Sequence, residues 1–470
     1  MAVDPDKRLI APCVVACPAE IDVPRYIGFV ERGQFAEAHA VVRESIPLPV
    51  ACGLICYRPC EAWCRRGIME APVAINAIKR AATEHGARDQ RWDAPIAEAT
   101  GKRVAVVGSG PAGLTAAYYL ARRRGHDVTL FDAMPELGGQ LRIGLPEYKA
   151  PRDLLDREID LVTEVRVDVR AGTRIESLAE LTGGFDAVLL AVGQTRARSL
   201  GILGEDLPGV ELATNFLREL NLGRPVDVGS RVVVLGGDNV AVDSARCALR
   251  LGAREVRVVV PYSLVEAPAY EFEIAAAREE GVEFTESLEI RGIVKAGSSL
   301  ALEPVSGSGA SLYADTVFVS AGRVPELPAD WGLPLSPRDV IEADRSNLMT
   351  SRRGVFAAGD AVTGPDSIVE AMAQGKKAAQ GIDRFLGGDG DIGETFAPAP
   401  GEEMAMPAHL AEQGKPVVPM PLASKRSRQQ SFAIVEQGYG VAEAQAEARR
   451  CIRCDLWRER IPQVWSEQQD

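Results

Sequence analysis

The sequence is poor in what would carry it to a membrane or to nucleic acid. No unbroken apolar run approaches the ~18 residues of a membrane span. The opening stretch, MAVDPDKRLIAPC, holds no apolar core of the kind a secretory signal carries. Positive charge is in deficit, with a formal net charge of −13. A phosphate backbone attracts a basic face, so nucleic acid is not an expected partner. A cytoplasmic protein with no membrane span is the expectation. Histidine is scarce: His39, His85, His126 and His409 are all there are, and none has metal-ligand spacing. Packing or surface roles are expected of all four. No acid–base or nucleophile constellation is visible either, so the chemistry is expected to be a cofactor's own.

What is present is a globular composition, 46% hydrophobic and 25% charged over 470 residues. That length suggests roughly three domains. The most informative stretch runs from Arg103 to Asp132. A buried-strand run, Val104 to Val107, leads into Gly108-x-Gly110-x-x-Gly113. An Ala-rich helix follows, then a second apolar strand, Val128 to Phe131, ending in Asp132. Gly108 permits the tight turn, Gly110 admits a pyrophosphate to the backbone, and Gly113 lets helix and strand pack closely. The helix N-terminus offers free N–H groups to phosphates. Asp132 stands where a carboxylate takes ribose hydroxyls. Strand, glycines, helix, strand and acid in this order predict a dinucleotide site.

The unit recurs. Val232 to Leu235 is a strand, Gly236-Gly237-Asp238-Asn239-Val240-Ala241 a turn, Val242 to Leu251 a helix and Val256 to Val260 the next strand. Two dinucleotides are therefore expected. Asp238 departs from the pattern, since a carboxylate is electrostatically unwelcome where the backbone should meet a pyrophosphate. Further on, Asp186 to Gly193 and Gly354 to Asp360 read as short buried strands, and Ser367 to Phe385 as a long helix. Asp360 at its strand end is placed to bind a ribityl or ribose hydroxyl.

Eight of nine cysteines fall in tight groups: Cys13 and Cys17; Cys52, Cys56, Cys60 and Cys64; Cys451 and Cys454. In a large chain without a secretion signal this points to metal rather than disulfides. Structural zinc prefers paired C-x2-C knuckles, and only one C-x2-C occurs. The x3 spacings and Cys17-Pro18 favour two four-iron clusters over zinc. Cys247 stands apart, mid-helix, as an inert core residue. It is the only cysteine between Asp132 and Asp360. A flavin disulfide reductase needs a Cys pair near its flavin, so that activity is not expected.

The pattern divides the chain. Residues 1–95 form a helical, cysteine-bearing segment. Pro24 to Val42 reads as two short helices parted by Gly33. Gly53 and Pro59 break any continuous helix through Cys52 to Cys64, and Pro72 to Glu84 closes the segment as a helix. Residues 96–220 with 335–395 hold the first nucleotide unit and 221–334 the second. Residues 396–470 are a surface linker and a tail. In the linker, Ser424 to Arg428 reads as a solvated loop. In the tail, Ala442 to Arg450 is a helix ending in Cys451-x2-Cys454.

These stretches resemble a known family. CPAEIDVPRYI, ACGLICYRPCEAWCRRG, VGSGPAGLTAAYYLA, LGGQLRIGLPEYK, GEDLPGV, GDNVAVDSAR and GVFAAGDAVTGPDSIVEA are similar to the small subunit of glutamate synthase and its relatives. Those include the flavin half of dihydropyrimidine dehydrogenase and the large subunit of bifurcating NADH-dependent ferredoxin:NADP oxidoreductase. The fold implied is α/β: two Rossmann-like nucleotide-binding domains of the glutathione-reductase type, with an N-terminal α-helical iron–sulfur domain. The resemblance implies FAD on the first unit and a pyridine nucleotide on the second. The residues expected at FAD are Gly108, Gly110, Pro111, Ala112, Gly113, Asp132, Gly139, Gln140, Leu141, Gly193, Gly359, Asp360, Ser367 and Ile368. Those expected at the second nucleotide and its neighbourhood are Gly236, Gly237, Asp238, Asn239, Val240 and Gly322. By family pairing, Cys451, Cys454, Cys13 and Cys64 would hold one [4Fe–4S] cluster, and Cys17, Cys52, Cys56 and Cys60 the other. Family members usually begin with a C-x2-C pair; here the tail motif EARRCIRCD supplies one. NADPH-using relatives place an Arg pair after the strand matching Val256 to Val260. Pro261-Tyr262-Ser263 stands there instead, which favours NAD(H) over NADP(H), with Arg257 and Arg278 as the residues that would otherwise serve.

The activity implied is electron transfer between NAD(H) and a catalytic partner subunit or ferredoxin-like protein, through FAD and two clusters. The rivals are a stand-alone NADPH:ferredoxin or acceptor reductase, a glutamate synthase small subunit proper, and a non-enzymatic scaffold whose nucleotide site Asp238 has disabled.

Overall fold

The computed structural model describes residues 10–87, 95–305, 310–398 and 415–456. His409 and the linker residues 399–414 lie outside these. Seven helices open the chain: Pro12–Val15, Val23–Glu31, Phe35–Arg43, Pro49–Ile55, Pro59–Ala62, Arg66–Met69 and Ile75–Gly86. Asp22 caps the second by accepting the Arg25 N–H at 3.2 Å, with Pro24 in its first turn. Gly33, at φ +77°, separates it from the third, as the spacing predicts. Pro49 opens a helix that ends at Cys56 in extended backbone. Arg58 then turns left-handed at φ +66°, and Pro59 starts the next helix. Cys52, Cys56, Cys60 and Cys64 therefore share no helix face.

Fifteen strands follow among the described residues. In chain order they are β1 (Arg103–Val107), β2 (Asp127–Phe131), β3 (Val167–Arg170), β4 (Ala187–Leu190), β5 (Arg196–Ala197), β6 (Val210–Leu212), β7 (Arg231–Leu235), β8 (Glu255–Val259), β9 (Glu283–Thr285), β10 (Ile290–Ala296), β11 (Ser299–Pro304), β12 (Leu312–Ala314), β13 (Thr316–Val319), β14 (Arg323–Val324) and β15 (Val355–Ala357). The first sheet runs β15-β4-β1-β2-β3, with every neighbouring pair parallel. Both faces of such a sheet are covered, which is why its strands read as continuous apolar runs. Val107 pairs with Phe131, so the Gly108–Gly110 turn and Asp132 emerge side by side at the carboxyl edge, where open α/β sheets bind ligands. The second sheet, β6-β13-β7-β8-β9, repeats the arrangement, with Leu235 opposite Val259. β6 lies in the stretch assigned to the first unit, yet it pairs with β13 in the second sheet.

The three-stranded antiparallel sheet β10-β11-β12 was not evident in the sequence pattern. It turns at Gly297-Ser298, between the paired Ala296 and Ser299. β5 and β14 form a two-stranded link. The apolar core of the N-terminal helices is continuous with that of the first sheet and the helix Ile368–Phe385. Glu158, 3% exposed on the helix Arg152–Thr163, ties the two further. Its carboxylate accepts the Val50 and Ala51 N–H groups at 2.5 and 2.8 Å, at the N-terminus of the helix that carries Cys52. Burial pushes Glu158 up to about 8, against those two bonds.

One expectation is corrected. Lys425–Gln430 is a helix, N-capped by Ser424 through the Ser427 N–H, not a solvated loop. Arg428 is 9% exposed and pairs with Glu279 at 3.1 Å, and Gln429 donates to the Glu280 carbonyl at 2.6 Å. A charge run signals a loop only when nothing opposes it, and here the helix Glu271–Glu280 supplies the opposing acids. No helix among the described residues is long and apolar enough to cross a membrane.

The second unit is held by a buried ion network. Glu280, fully buried, accepts from Arg246 at 2.8 and 3.0 Å and from Arg250 at 2.7 and 3.1 Å. Both guanidinium groups stack on Tyr148, 4.7 and 4.0 Å from its ring centre. Glu280→Ala leaves the buried Arg250 without its acid and Arg246 with only Glu273, at 2.9 Å. It should cost about 3–5 kcal/mol, read as a fall in the urea midpoint of the purified chain.

Candidate functional site

A cleft of about 720 Å³ runs between the two nucleotide units and onto the N-terminal helices. Of the residues expected at FAD, Gly108, Gly110, Pro111, Ala112, Asp132, Gly139, Gln140, Leu141, Gly193, Gly359, Asp360, Ser367 and Ile368 all line it. Gly113 does not; it lies behind, where a Cβ would stand 1.9 Å from the Gly108 carbonyl oxygen. That contact is the close helix–strand packing the motif demands. Gly139, at φ +52°, would place a Cβ 2.9 Å from the Gly110 Cα, so the two glycine turns touch. A Cβ at Gly110 would meet nothing within 4 Å, leaving open space directly against the backbone.

Polar groups converge on that space. The Asp132 carboxylate accepts the Ser109 N–H at 2.7 Å, the Ser109 hydroxyl, and the Met134 N–H at 2.8 Å. These bonds orient it in the cleft wall. Gln194, 1% exposed, lines the cleft with its Oε1 unpartnered, a buried acceptor awaiting a donor. Burial pushes Asp360 up to about 6, with Arg323 opposing. An open glycine cradle, an oriented acid and an orphaned amide oxygen fit a dinucleotide lying along the carboxyl edge of the first sheet.

On the second unit, Asn239 and Val240 line the cleft; Gly236, Gly237, Asp238 and Gly322 do not. Asp238 is the N-cap of the helix Asn239–Arg250. Its carboxylate accepts the Ala241 N–H at 2.9 Å and the Ser320 hydroxyl at 2.6 Å. The side chain is folded back onto its own helix rather than aimed into the cleft. After β8, Ser263 and Glu266 form a capping box, and Glu286 accepts the Leu264 N–H at 2.8 Å and the Ser263 hydroxyl at 3.3 Å. Arg257 is committed to Glu283, and Arg278 lies over Phe284 with Glu286 at 3.9 Å.

Several cleft residues carried no sequence signal. Tyr57 stacks on Tyr270 (5.7 Å between ring centres), Tyr270 on Phe272 (5.5 Å), and Arg58 lies over Phe272 (5.0 Å). Tyr57 and Arg58 follow Cys56; Tyr270 and Phe272 belong to the second unit. Lys149 bridges Asp243 and Glu273, each at 2.6 Å. Only three-dimensional neighbourhood assembles these groups.

The cleft wall includes Cys56. All nine cysteines are free, and Cys17, Cys52, Cys56 and Cys60 are buried while Cys13, Cys64, Cys451 and Cys454 are half-buried. The Cys52 thiol donates to Cys56 and draws the latter down to about 5. Burial raises Cys17 and Cys60, and each also lies within charge range of Cys56 and of Lys79. Burial raises Cys13 as well, and Cys451, Cys454, Cys60 and Cys64 lie within charge range of it. Among the described residues, no three His, Cys, Asp or Glu side chains converge as for a single ion. A four-iron cluster takes one thiolate at each of four irons and needs no such convergence. The all-thiol donor set, free of carboxylate and imidazole, fits that chemistry.

The tail reaches Cys13 because it is stapled down. Glu447, fully buried, accepts the Ala74 and Val418 N–H groups, each at 2.8 Å, and Arg450 at 2.6 Å. Arg450, 1% exposed, donates to the carbonyls of Ala71, Pro72 and Lys415. His85 and His126 are packing residues: His85 meets the Tyr439 carbonyl at 2.8 Å, and His126 bonds Thr100 and Asp383.

Residues 102–375 match the family described as pyridine nucleotide-disulphide oxidoreductase. Residues 9–91 match dihydropyrimidine dehydrogenase domain II, 4Fe-4S cluster. The chain is 34% identical to the NADP(+)-dependent formate dehydrogenase subunit beta of Moorella thermoacetica, over 94% of this chain and 70% of that one. It is 35% identical to the small chain of glutamate synthase [NADPH] of Mycobacterium tuberculosis, over 84% of this chain and 88% of that one. Among solved structures, Mycobacterium tuberculosis FprA in complex with NADPH superposes with a TM-score of 0.53 at 20% identity, over 61% of this chain and 85% of that one. That likeness is one of fold.

A side chain at Gly139 meets both a left-handed backbone and the Gly110 turn, a strain of about 1–3 kcal/mol. Gly139→Val should therefore lose bound flavin by about tenfold or more, read as the 450 nm absorbance per chain after gel filtration. Gly183→Ala, on an open surface turn, should keep it.

Proposed function

The chain belongs to the pyridine nucleotide-disulphide oxidoreductase family, as an FAD-dependent NAD(P)H oxidoreductase with a 4Fe–4S domain, and from that premise we propose that it moves electrons between NAD(H) and a partner protein. One observation carries the reading: a single cleft joins the turn of the second unit, the glycine cradle of the first, and Cys56. Residues 96–220 with 335–395 hold FAD, less β6, and residues 221–334 hold the nicotinamide nucleotide.

When bound, FAD exchanges hydride with nicotinamide and single electrons with iron–sulfur centres. The protein's own part is placement. The N-terminus of the helix Pro111–Tyr118 would offer its free N–H groups to the pyrophosphate. Asp132 and Asp360 would accept the cofactor's hydroxyls, Gln140 and Gln194 would lie against it, and the Tyr57–Tyr270–Phe272 stack lines the same cleft. Cys17, Cys52, Cys56 and Cys60 hold the cluster beside the cleft. Cys13, Cys64, Cys451 and Cys454 hold a second, nearer the surface, where a partner subunit or ferredoxin-like protein exchanges electrons. Grouped free thiols suit a reducing compartment, and we place the protein in the cytoplasm.

NAD(H) is favoured on local electrostatics, although both relatives described above carry NADP(H) in their names. A 2′-phosphate would face Glu286 and Glu266, and the two candidate arginines already oppose acids. Asp238, folded onto its helix, does not obstruct the turn.

Anaerobic titration of the purified chain should bleach the flavin band with NADH at far lower concentration than with NADPH. The reverse order overturns the nucleotide assignment, and bleaching by neither overturns the activity. Cys451→Ser with Cys454→Ser should lower iron from about eight to about four per chain; unchanged iron removes the tail from the ligand set.

A further inference from the structure

Lys79 is a buried charge with an unusual partner. It lies on the helix Ile75–Gly86, 5% exposed, among the buried Ile75, Ile78 and Ala82. Its Nζ donates to the Cys52 sulfur at 3.0 Å. Among the described residues no carboxylate forms an ion pair with it; Glu61, the acid in charge range, accepts the Asn76 N–H at 2.8 Å instead. An ammonium taken out of water costs several kcal/mol unless an anion compensates it. Here the compensating groups are thiols of the set Cys17, Cys52, Cys56 and Cys60. A second donor points the same way: the Arg58 N–H, aimed by its left-handed backbone, reaches the Cys56 sulfur at 3.4 Å. Among the described residues, the other thiol set shows no such ammonium. Its nearby cations are Arg65 and Arg453, and Arg453 is bound to Asp455 at 2.7 Å.

Charge and hydrogen bonds at the sulfurs are what set an iron–sulfur potential within a given cluster type. Each electron arriving adds one negative charge. A fixed cation in a dry site stabilises that added charge more strongly than one in water would. We propose that Lys79 is a potential-setting residue: through its contact with Cys52 it raises the midpoint of the cluster held by Cys17, Cys52, Cys56 and Cys60, making that cluster the ready acceptor beside the flavin cleft. This rests on the ligand sets proposed above.

The test is an EPR-monitored potentiometric titration of the anaerobically purified full chain, with iron analysis on every sample. Lys79→Met and Lys79→Gln should retain about eight irons per chain and shift one cluster midpoint to a more negative potential. The signal that moves should be the one Cys60→Ser abolishes, and Lys79→Arg should hold both midpoints near wild type. Unchanged midpoints in the two neutral variants, or an equal shift of both clusters, overturn the proposal. Loss of iron from both neutral variants makes Lys79 structural and overturns it as well. Failure of the ligand sets reads differently: wild type itself would show about four irons and one signal, whatever stands at position 79.

Discussion

The pairing of Glu447 with Arg450 is the contact on which the rest of the metal-binding end depends. Two charges with almost no exposure are tolerable only if every lone pair and proton is used. Here the backbone of residues 71–74 and 415–418 uses them. The pair therefore does more than join two side chains. It fixes three segments distant in sequence against one another, and Cys451 follows directly after. Without that staple the C-x2-C of the tail would lose the contacts that hold it against residues 71–74.

A similar economy holds the nucleotide units. Parallel sheets bury both faces and leave polar backbone free only at strand ends and helix starts, so ligands collect along that edge. In the first unit the glycine turn keeps the edge open. In the second, Asp238 uses the helix start for itself, and cleft access falls to Asn239 and Val240. The buried Lys149–Asp243–Glu273 and Arg246–Arg250–Glu280 groups hold the second unit against Tyr148, so the two sheets face each other across a cleft of settled width. The aromatic run from Tyr57 to Phe272 then joins the cysteine-bearing helices to the nucleotide unit along the wall of that cleft.

Much of this was legible in the residues. The strand–glycine–helix–strand order located both sheets' central strands, because apolar runs and tight turns are local properties. Gly33 and Pro59 located helix breaks for the same reason, whereas Gly53 lies within the helix Pro49–Ile55, which ends only at Cys56. The antiparallel β10–β12 sheet was not legible, since its alternation is short and interrupted by Gly292 and Gly297. The run Ser424 to Arg428 misled because Arg428 finds Glu279, about 150 positions earlier in the chain, and is buried. Lys79 could have been noticed: it shares a helical face with Ile75 and Ala82, an apolar stripe where a lysine has no business unless an anion is near.

By itself, then, the sequence determined the class of the fold, the presence of two nucleotide units and the likeness of the cysteine pattern to iron–sulfur ligation. Those depend on periodicity, turn chemistry and spacing, which are properties of short segments. Tertiary structure alone decided which thiols are neighbours, that Asp238 meets the Ser320 hydroxyl, that three rings line one cleft wall, and that a buried ammonium lies on Cys52. These contacts join segments tens to hundreds of residues apart, and they are chosen by which surfaces bury together and by where a buried charge finds its partner; the bond from Asp238 to the Ala241 N–H is the local exception.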